Sequence, residues 1–204
     1  MISLFTLGIF FQFLSALISL IFVRKNRTVF LTLLSVFLVI TASVEIYCFL
    51  LMEEEKPTFI IHHLYSLIEY SIIFFMYSSL INDKKWLVLP KILIITAFLL
   101  WVTVFFDKDC FSRLVILGSV NVAVVVLLYL RELLLSDKIL NYKRLLPFWV
   151  SVGFLVFYLP SIPFFSLLNY INTRGLFSIL SVLIILMNLF IIIGLLWSNK
   201  EMKH

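Results

Sequence analysis

Three side chains sit where charge is costly. Glu45 lies in the apolar run 28–52, and Glu69 and His62 lie in the run 58–80, within His62-His63-Leu64-Tyr65-Ser66-Leu67-Ile68-Glu69-Tyr70. An ionisable group at bilayer depth costs about 2.5–3.5 kcal/mol on insertion scales, so by default it marks a binding or proton-handling site. At about 100° per residue, His62, Tyr65, Ser66, Glu69, Tyr70 and Tyr77 share one broad helical face. Leu64, Leu67, Ile68, Ser71 and Phe75 take the other. Tyr65 and Glu69 are i, i+4 neighbours, so the phenol is expected to donate to the carboxylate, with His62 and Ser66 paired one turn further out. On the preceding helix Thr41, Glu45 and Cys48 fall on one face. At a rise of about 1.5 Å per residue Glu45 comes level with His62 and Ser66, and is expected to bond one of them.

Other polar groups share this depth. Asn121 and Tyr158 are two, and Tyr158 is followed by Pro160-Ser161-Ile162-Pro163. Each proline removes a backbone donor, so that helix is predicted to be kinked or unwound there. Gln12 and Asn188 lie nearer the midplane. The pattern predicts a polar cavity in the outer half, between helices two, three, five and six. Glu69, Glu45, His62, Tyr65, Ser66, Asn121 and Tyr158 are its candidate ligand- or proton-binding residues. The competing reading is that Glu45, His62 and Glu69 simply tie helices together. Interhelical hydrogen bonds average only about 0.6 kcal/mol, a small return for two buried carboxyl groups.

Catalytic chemistries fit poorly. Adjacent histidines point about 100° apart, so His62 and His63 do not readily share one metal ion. Seven-helix hydrolases of the ceramidase and adiponectin-receptor type need histidines on the last helix, where this chain has none. A retinal protein needs a lysine inside the seventh span, whereas Lys200 and Lys203 lie beyond Trp197. No nucleophile has a marked oxyanion site, and five glycines leave no phosphate-binding loop. Neither an enzyme nor a cofactor is expected, and the site calls for no metal.

The elements that must position these groups are apolar helices. Hydrophobic residues make up 63% of the chain and charged ones 13%, about half the share usual in soluble domains. The charges cluster between runs of about 20 apolar residues, the length that spans a bilayer. The predicted fold is all-α: a single polytopic transmembrane bundle with spans 2–23, 28–52, 58–80, 86–106, 114–130, 145–168 and 176–197. The first run has no basic residues before it and a basic cluster after it, and is expected to be a span rather than a signal peptide. Short loops should make consecutive helices antiparallel neighbours. Alternate loops divide the basic residues unequally: Arg24, Lys25, Arg27, Lys84, Lys85, Arg131, Lys138, Lys143, Arg144, Lys200 and Lys203 against Lys56, Lys108, Arg113 and Arg174. The richer set is expected to be cytoplasmic, with the N-terminus outside and the C-terminus inside. Trp86, Trp149 and Trp197 then mark the inner boundary and Tyr170 the outer one. Segment 131–144 should extend the fifth helix along or past the inner surface. The net charge of +5 is spread over membrane boundaries and points to no nucleic acid. Cys48 and Cys110 are expected to be free thiols.

The block His63-x-Tyr65-x-x-x-Glu69 resembles a segment of uncharacterised bacterial seven-helix integral membrane proteins. The resemblance implies the same architecture and a bacterial inner membrane, singles out Tyr65 and Glu69, and brings no activity with it. Two functional expectations follow from the residues. One is a non-enzymatic sensor, receptor or scaffold subunit. It would bind a small molecule, lipid or proton and signal to a cytoplasmic protein partner at the basic inner loops. The other is a proton-coupled small-solute carrier or channel. A carrier should show polar groups continuing to the inner side and a second broken helix, and the inner half of this chain is apolar. An intramembrane hydrolase ranks third.

Overall fold

The computed structural model describes residues 4–107, 110–167 and 176–198. Those residues form helices and turns with no strand: α1 Leu4–Lys25, α2 Val29–Glu53, α3 Phe59–Ser78, α4 Val88–Thr103, α5 Cys110–Leu134, α6 Leu146–Leu167 and α7 Leu176–Ser198. Short 3₁₀ segments, Lys84–Leu87 and Asp137–Arg144, precede α4 and α6. Seven helices, the fourth counted with its leading 3₁₀ turn, are long and apolar enough to cross a membrane. The chain is thus a multi-pass membrane bundle. Its surface fits that setting, since Phe10, Ile21, Ile60, Phe75, Leu99 and Leu196 are all exposed.

Local signals set the helix ends. The Thr28 hydroxyl caps α2 by accepting from the Leu31 N–H at 3.2 Å. At its far end Lys56 N–H donates to Leu51 O and Glu55 N–H to Met52 O. This is a Schellman turn in which Glu55, with φ 55°, occupies the left-handed position usually given to glycine. After α3, the Glu132 carboxylate accepts from both the backbone N–H (2.9 Å) and the side-chain amide (2.7 Å) of Asn82. The α3–α4 connector is thereby tied to α5.

Two expected boundaries shift. α5 runs from Cys110 to Leu134, longer at both ends than the apolar stretch 114–130. Its extra turns carry Arg113, Arg131 and Glu132 on surfaces where charges stay solvated. α4 is shorter than expected, because Lys84–Leu87 winds as 3₁₀ and the helix ends at Thr103. The larger correction concerns α6, which continues as α-helix through Pro160 and Pro163 instead of unwinding. Both rings lie on the exposed side, while Ser161 between them points inward and donates to Phe157 O at 2.7 Å. Losing two donors on the outward side leaves the remaining ladder able to carry the helix through.

The helices close into a ring. α1 packs on α2, α2 on α3, α3 on α5, α5 on α6, α6 on α7, and α7 back on α1. α4 stands outside the ring and packs on α5 and α3. Ser15 joins the first and last helices by donating to Asn188 Oδ1 at 2.6 Å. Between α6 and α7, glycine allows close approach. A Cβ at Gly153 would lie 2.9 Å from Met187 O, and one at Gly194 would lie 2.6 Å from Trp149 Cβ.

One end of the bundle carries Glu53, Glu54 and Glu55, and is called the acidic end. The opposite end carries Arg24, Lys25, Arg27, Lys84, Lys85, Arg131, Lys143 and Arg144, and is called the basic end. Lys108, Tyr170, Arg174, Lys200 and Lys203, which entered the charge count and the aromatic belt, lie outside the described residues. Trp86, Trp149 and Trp197 stand at the basic end, with the Arg131 guanidinium 4.1 Å from the Trp86 ring centre.

The basic-end half of the ring is filled. Tyr77 is fully buried there, edge-on to Phe30 (5.9 Å) and Tyr129 (5.7 Å) and 6.1 Å from Phe154. Phe154 meets Phe37 edge-on at 5.5 Å, so rings from α2, α3, α5 and α6 interlock on the bundle axis. The Tyr77 and Ser151 hydroxyls meet in this plug at 2.9 Å and Ser151 donates on to Pro147 O at 2.7 Å, so the pair is satisfied internally. No such plug fills the acidic-end half.

Candidate functional site

There the ring encloses a cavity of about 650 Å³. α3 supplies its polar wall. His62, Tyr65, Ser66, Glu69 and Tyr70 all line it, as the helical spacing predicts, while Leu64, Ile68 and Phe75 are exposed on the lipid side. Tyr77, on the same face but two turns on, belongs to the plug. α2 adds Thr41 and Glu45, and α6 adds Tyr158 and Ser161. α1 and α7 also contribute, through Gln12 and through Leu180, Ile184 and Met187. These two helices fall outside the set expected from the sequence. They reach the cavity because the ring closes α7 onto α1, which no connector length reveals.

Six of the seven candidate residues share this wall: Glu69, Glu45, His62, Tyr65, Ser66 and Tyr158. Asn121 does not. It is buried, with its side-chain oxygen unpartnered, and the α5 residues on the cavity wall are Phe111, Val115 and Ser119. Two residues along a helix turn the side chain by about 200°, so matching depth placed Asn121 at the right height but on the wrong side.

The hydrogen bonds cross between helices instead of running along α3. The Tyr158 hydroxyl donates to Glu69 Oε1 at 2.5 Å, joining α6 to α3. The Tyr65 hydroxyl is 2.6 Å from Thr41 Oγ1, joining α3 to α2. The expected Tyr65–Glu69 pair is therefore absent. The Tyr65 phenol finds its partner on the neighbouring helix α2 instead of along its own. Ser66 donates to the His63 carbonyl at 2.7 Å. Glu45 and His62 make no hydrogen bond or ion pair among the described residues, so the expected bond from Glu45 to His62 or Ser66 is also absent. Helix-tying is hence a poor account of Glu45 and His62.

A second space, of about 590 Å³, adjoins the first. It shares Glu45, His62, Leu180 and Ile184 with the main cavity, and reaches Leu4, Phe5, Met52 and Ser178 at the acidic end. Glu45 and His62 thus stand at the junction between a deep chamber and a more superficial one.

His63 goes elsewhere. It is 2% exposed, stacked on Trp101 at 4.9 Å and on Phe59 at 6.2 Å, with the edge of Phe105 at 4.7 Å. Trp101 Nε1 donates to the His63 carbonyl at 2.8 Å. This aromatic box fastens α4 to α3, and both imidazole nitrogens lack partners inside it. The signal for it was present in Trp101, near the end of α4, and Phe105, four residues on in the turn that follows. Among the described residues no three His, Cys, Asp or Glu side chains come together to hold a metal ion. Cys48 and Cys110 are free.

The chain matches no family model, no curated protein and no solved structure.

Proposed function

We propose that this chain is a non-enzymatic receptor or sensor subunit of a cell membrane, with its acidic end outside. A small molecule or lipid occupies the cavity, and its presence is passed as a helix shift to a partner at the basic, cytoplasmic end. The observation that carries this reading is the asymmetry of the ring. A chamber of about 650 Å³, within the usual 300–1,000 Å³ of small-molecule sites, opens onto Glu45, Glu69 and His62 in one half. Interlocked aromatic rings close the other. The unequal basic residues support the orientation.

A proton-coupled carrier would need a polar path past Phe37, Tyr77 and Phe154, and a broken helix to open it. α6 is continuous, which weakens the carrier reading further.

The test uses the full chain in lipid nanodiscs and in proteoliposomes. Native mass spectrometry should find a co-purified molecule on the wild type that is lost from Val115→Trp, a variant whose added ring narrows the chamber and whose folding is checked by monodisperse elution. Proteoliposomes under an imposed pH gradient should show no proton flux above empty vesicles. Flux abolished by Glu69→Gln would overturn the proposal in favour of the carrier.

A further inference from the structure

The walls of the chamber also specify the charge of what it takes. We infer that its ligand is a lipophilic cation: an apolar body bearing one amine, seated between Glu69 and Glu45. This rests on the reading of the cavity as a binding site and adds the chemical class of its occupant.

The inference starts from what the wall offers and what it lacks. Among the described residues lining the chamber, the ionisable side chains are Glu45, Glu69, His62 and the phenols Tyr65, Tyr70 and Tyr158. No lysine or arginine is there. An anionic headgroup or fatty-acid carboxylate would therefore face two carboxyl groups with only the His62 imidazole to set against them, an arrangement that costs affinity. A neutral lipid would leave both carboxyl groups without a use, against the cost of keeping them at membrane depth.

The hydrogen-bonding capacity points the same way. Glu69 spends one oxygen on the Tyr158 hydroxyl and keeps the other. Glu45 keeps both, and a carboxylate accepts where an ammonium donates. Gln12 is a second, independent pointer. Its side chain is only 5% exposed, lines the chamber, and has no hydrogen-bond partner among the described residues. An amide that faces the chamber in this way is open to bond whatever occupies it.

The rest of the wall suits an apolar body. Phe37, Phe157, Phe111, Ile184 and Met187 line it, and the aromatic faces attract a nearby cation as well as burying hydrocarbon. The cation enters past Glu45 and His62, where the two chambers join, and settles towards Glu69.

The experiment uses the full chain in nanodiscs and three probes of one length: decylamine, decanol and decanoate. Saturable binding is read by native mass spectrometry and by thermal shift on wild type, Glu69→Gln, Glu45→Gln and Val115→Trp. Decylamine is expected to bind wild type at least tenfold more tightly than either other probe. Glu69→Gln should weaken it tenfold or more, Glu45→Gln several-fold, and Val115→Trp should abolish saturable binding. Monodisperse elution of each variant establishes that it folds, and the two Glu→Gln changes keep side-chain size. If decanol or decanoate binds best and Val115→Trp removes it, the cationic assignment is overturned while the binding site stands. If no probe binds in a way Val115→Trp alters, the cation and the site fall together.

Discussion

The two halves of this bundle are built from the same seven helices and nearly the same residue types, yet one is solid and the other hollow. At the basic end Phe30, Phe37, Tyr77, Tyr129 and Phe154 interlock in one buried cluster. At the acidic end the rings of Phe59, Phe111, Phe157 and Phe165 stay on the wall, around carboxyl and hydroxyl groups. The difference lies in what stands opposite each ring. Tyr77 faces Phe154, so apolar surfaces interlock. Glu69 faces Tyr158 and Tyr65 faces Thr41, so short polar links hold the wall together and nothing apolar crosses the centre. Hollowness here is a consequence of polar side chains placed one turn apart on α2, α3 and α6.

Truncations should separate the halves most strongly. Phe154 is fully buried and touches rings on three sides, so Phe154→Ala is expected to cost about 3–5 kcal/mol. Phe157→Ala, one helical step away on the cavity wall, should cost less than half of that, since its removal enlarges a space that already exists. Reversible unfolding in mixed micelles measures both. Equal losses would mean that the chamber is as tightly packed as the plug.

Hydrogen-bond deletions give the smaller contrast. Ser151→Ala strands the Tyr77 hydroxyl in a dry core, at an expected cost of about 1–3 kcal/mol. Thr41→Val removes the partner of Tyr65 at a wall water can reach. Its cost should stay near the ~0.6 kcal/mol average for interhelical bonds in membranes. A Thr41→Val loss as large as that of Ser151→Ala would show the acidic-end chamber to be dry.

Much of this was legible in the chain. Run length and charge clustering gave all seven spans, because a bilayer imposes length and polarity on each helix separately. The 100° spacing along α3 correctly put His62, Tyr65, Ser66, Glu69 and Tyr70 on one wall. What the spacing could not give was partnership. Tyr65 and Glu69 are neighbours on a helical projection, but their bonds go to Thr41 and Tyr158, whose positions depend on how α2 and α6 rotate about their own axes. Asn121 failed for the same reason, its depth being readable and its direction not. The closure of α7 on α1, which brings Gln12, Ile184 and Met187 to the chamber, joins residues more than 170 apart, as Ser15 and Asn188 are. No local pattern encodes that. Of the two outcomes expected at Pro160 and Pro163, unwinding does not occur, because their rings sit on the exposed side and the inward-facing ladder continues the helix.

Cysteine accessibility tests most directly whether one half is open and the other sealed. In a Cys48→Ser, Cys110→Ser background, single cysteines at positions 66 and 151 are exposed to a membrane-impermeant maleimide, applied to each face of sealed vesicles in turn. Ser66→Cys should label from the face that carries the acidic end, and only from there, while Ser151→Cys stays unreactive from both. Labelling of Ser66→Cys from the opposite face, or labelling of both positions alike, would contradict a chamber closed by an aromatic plug.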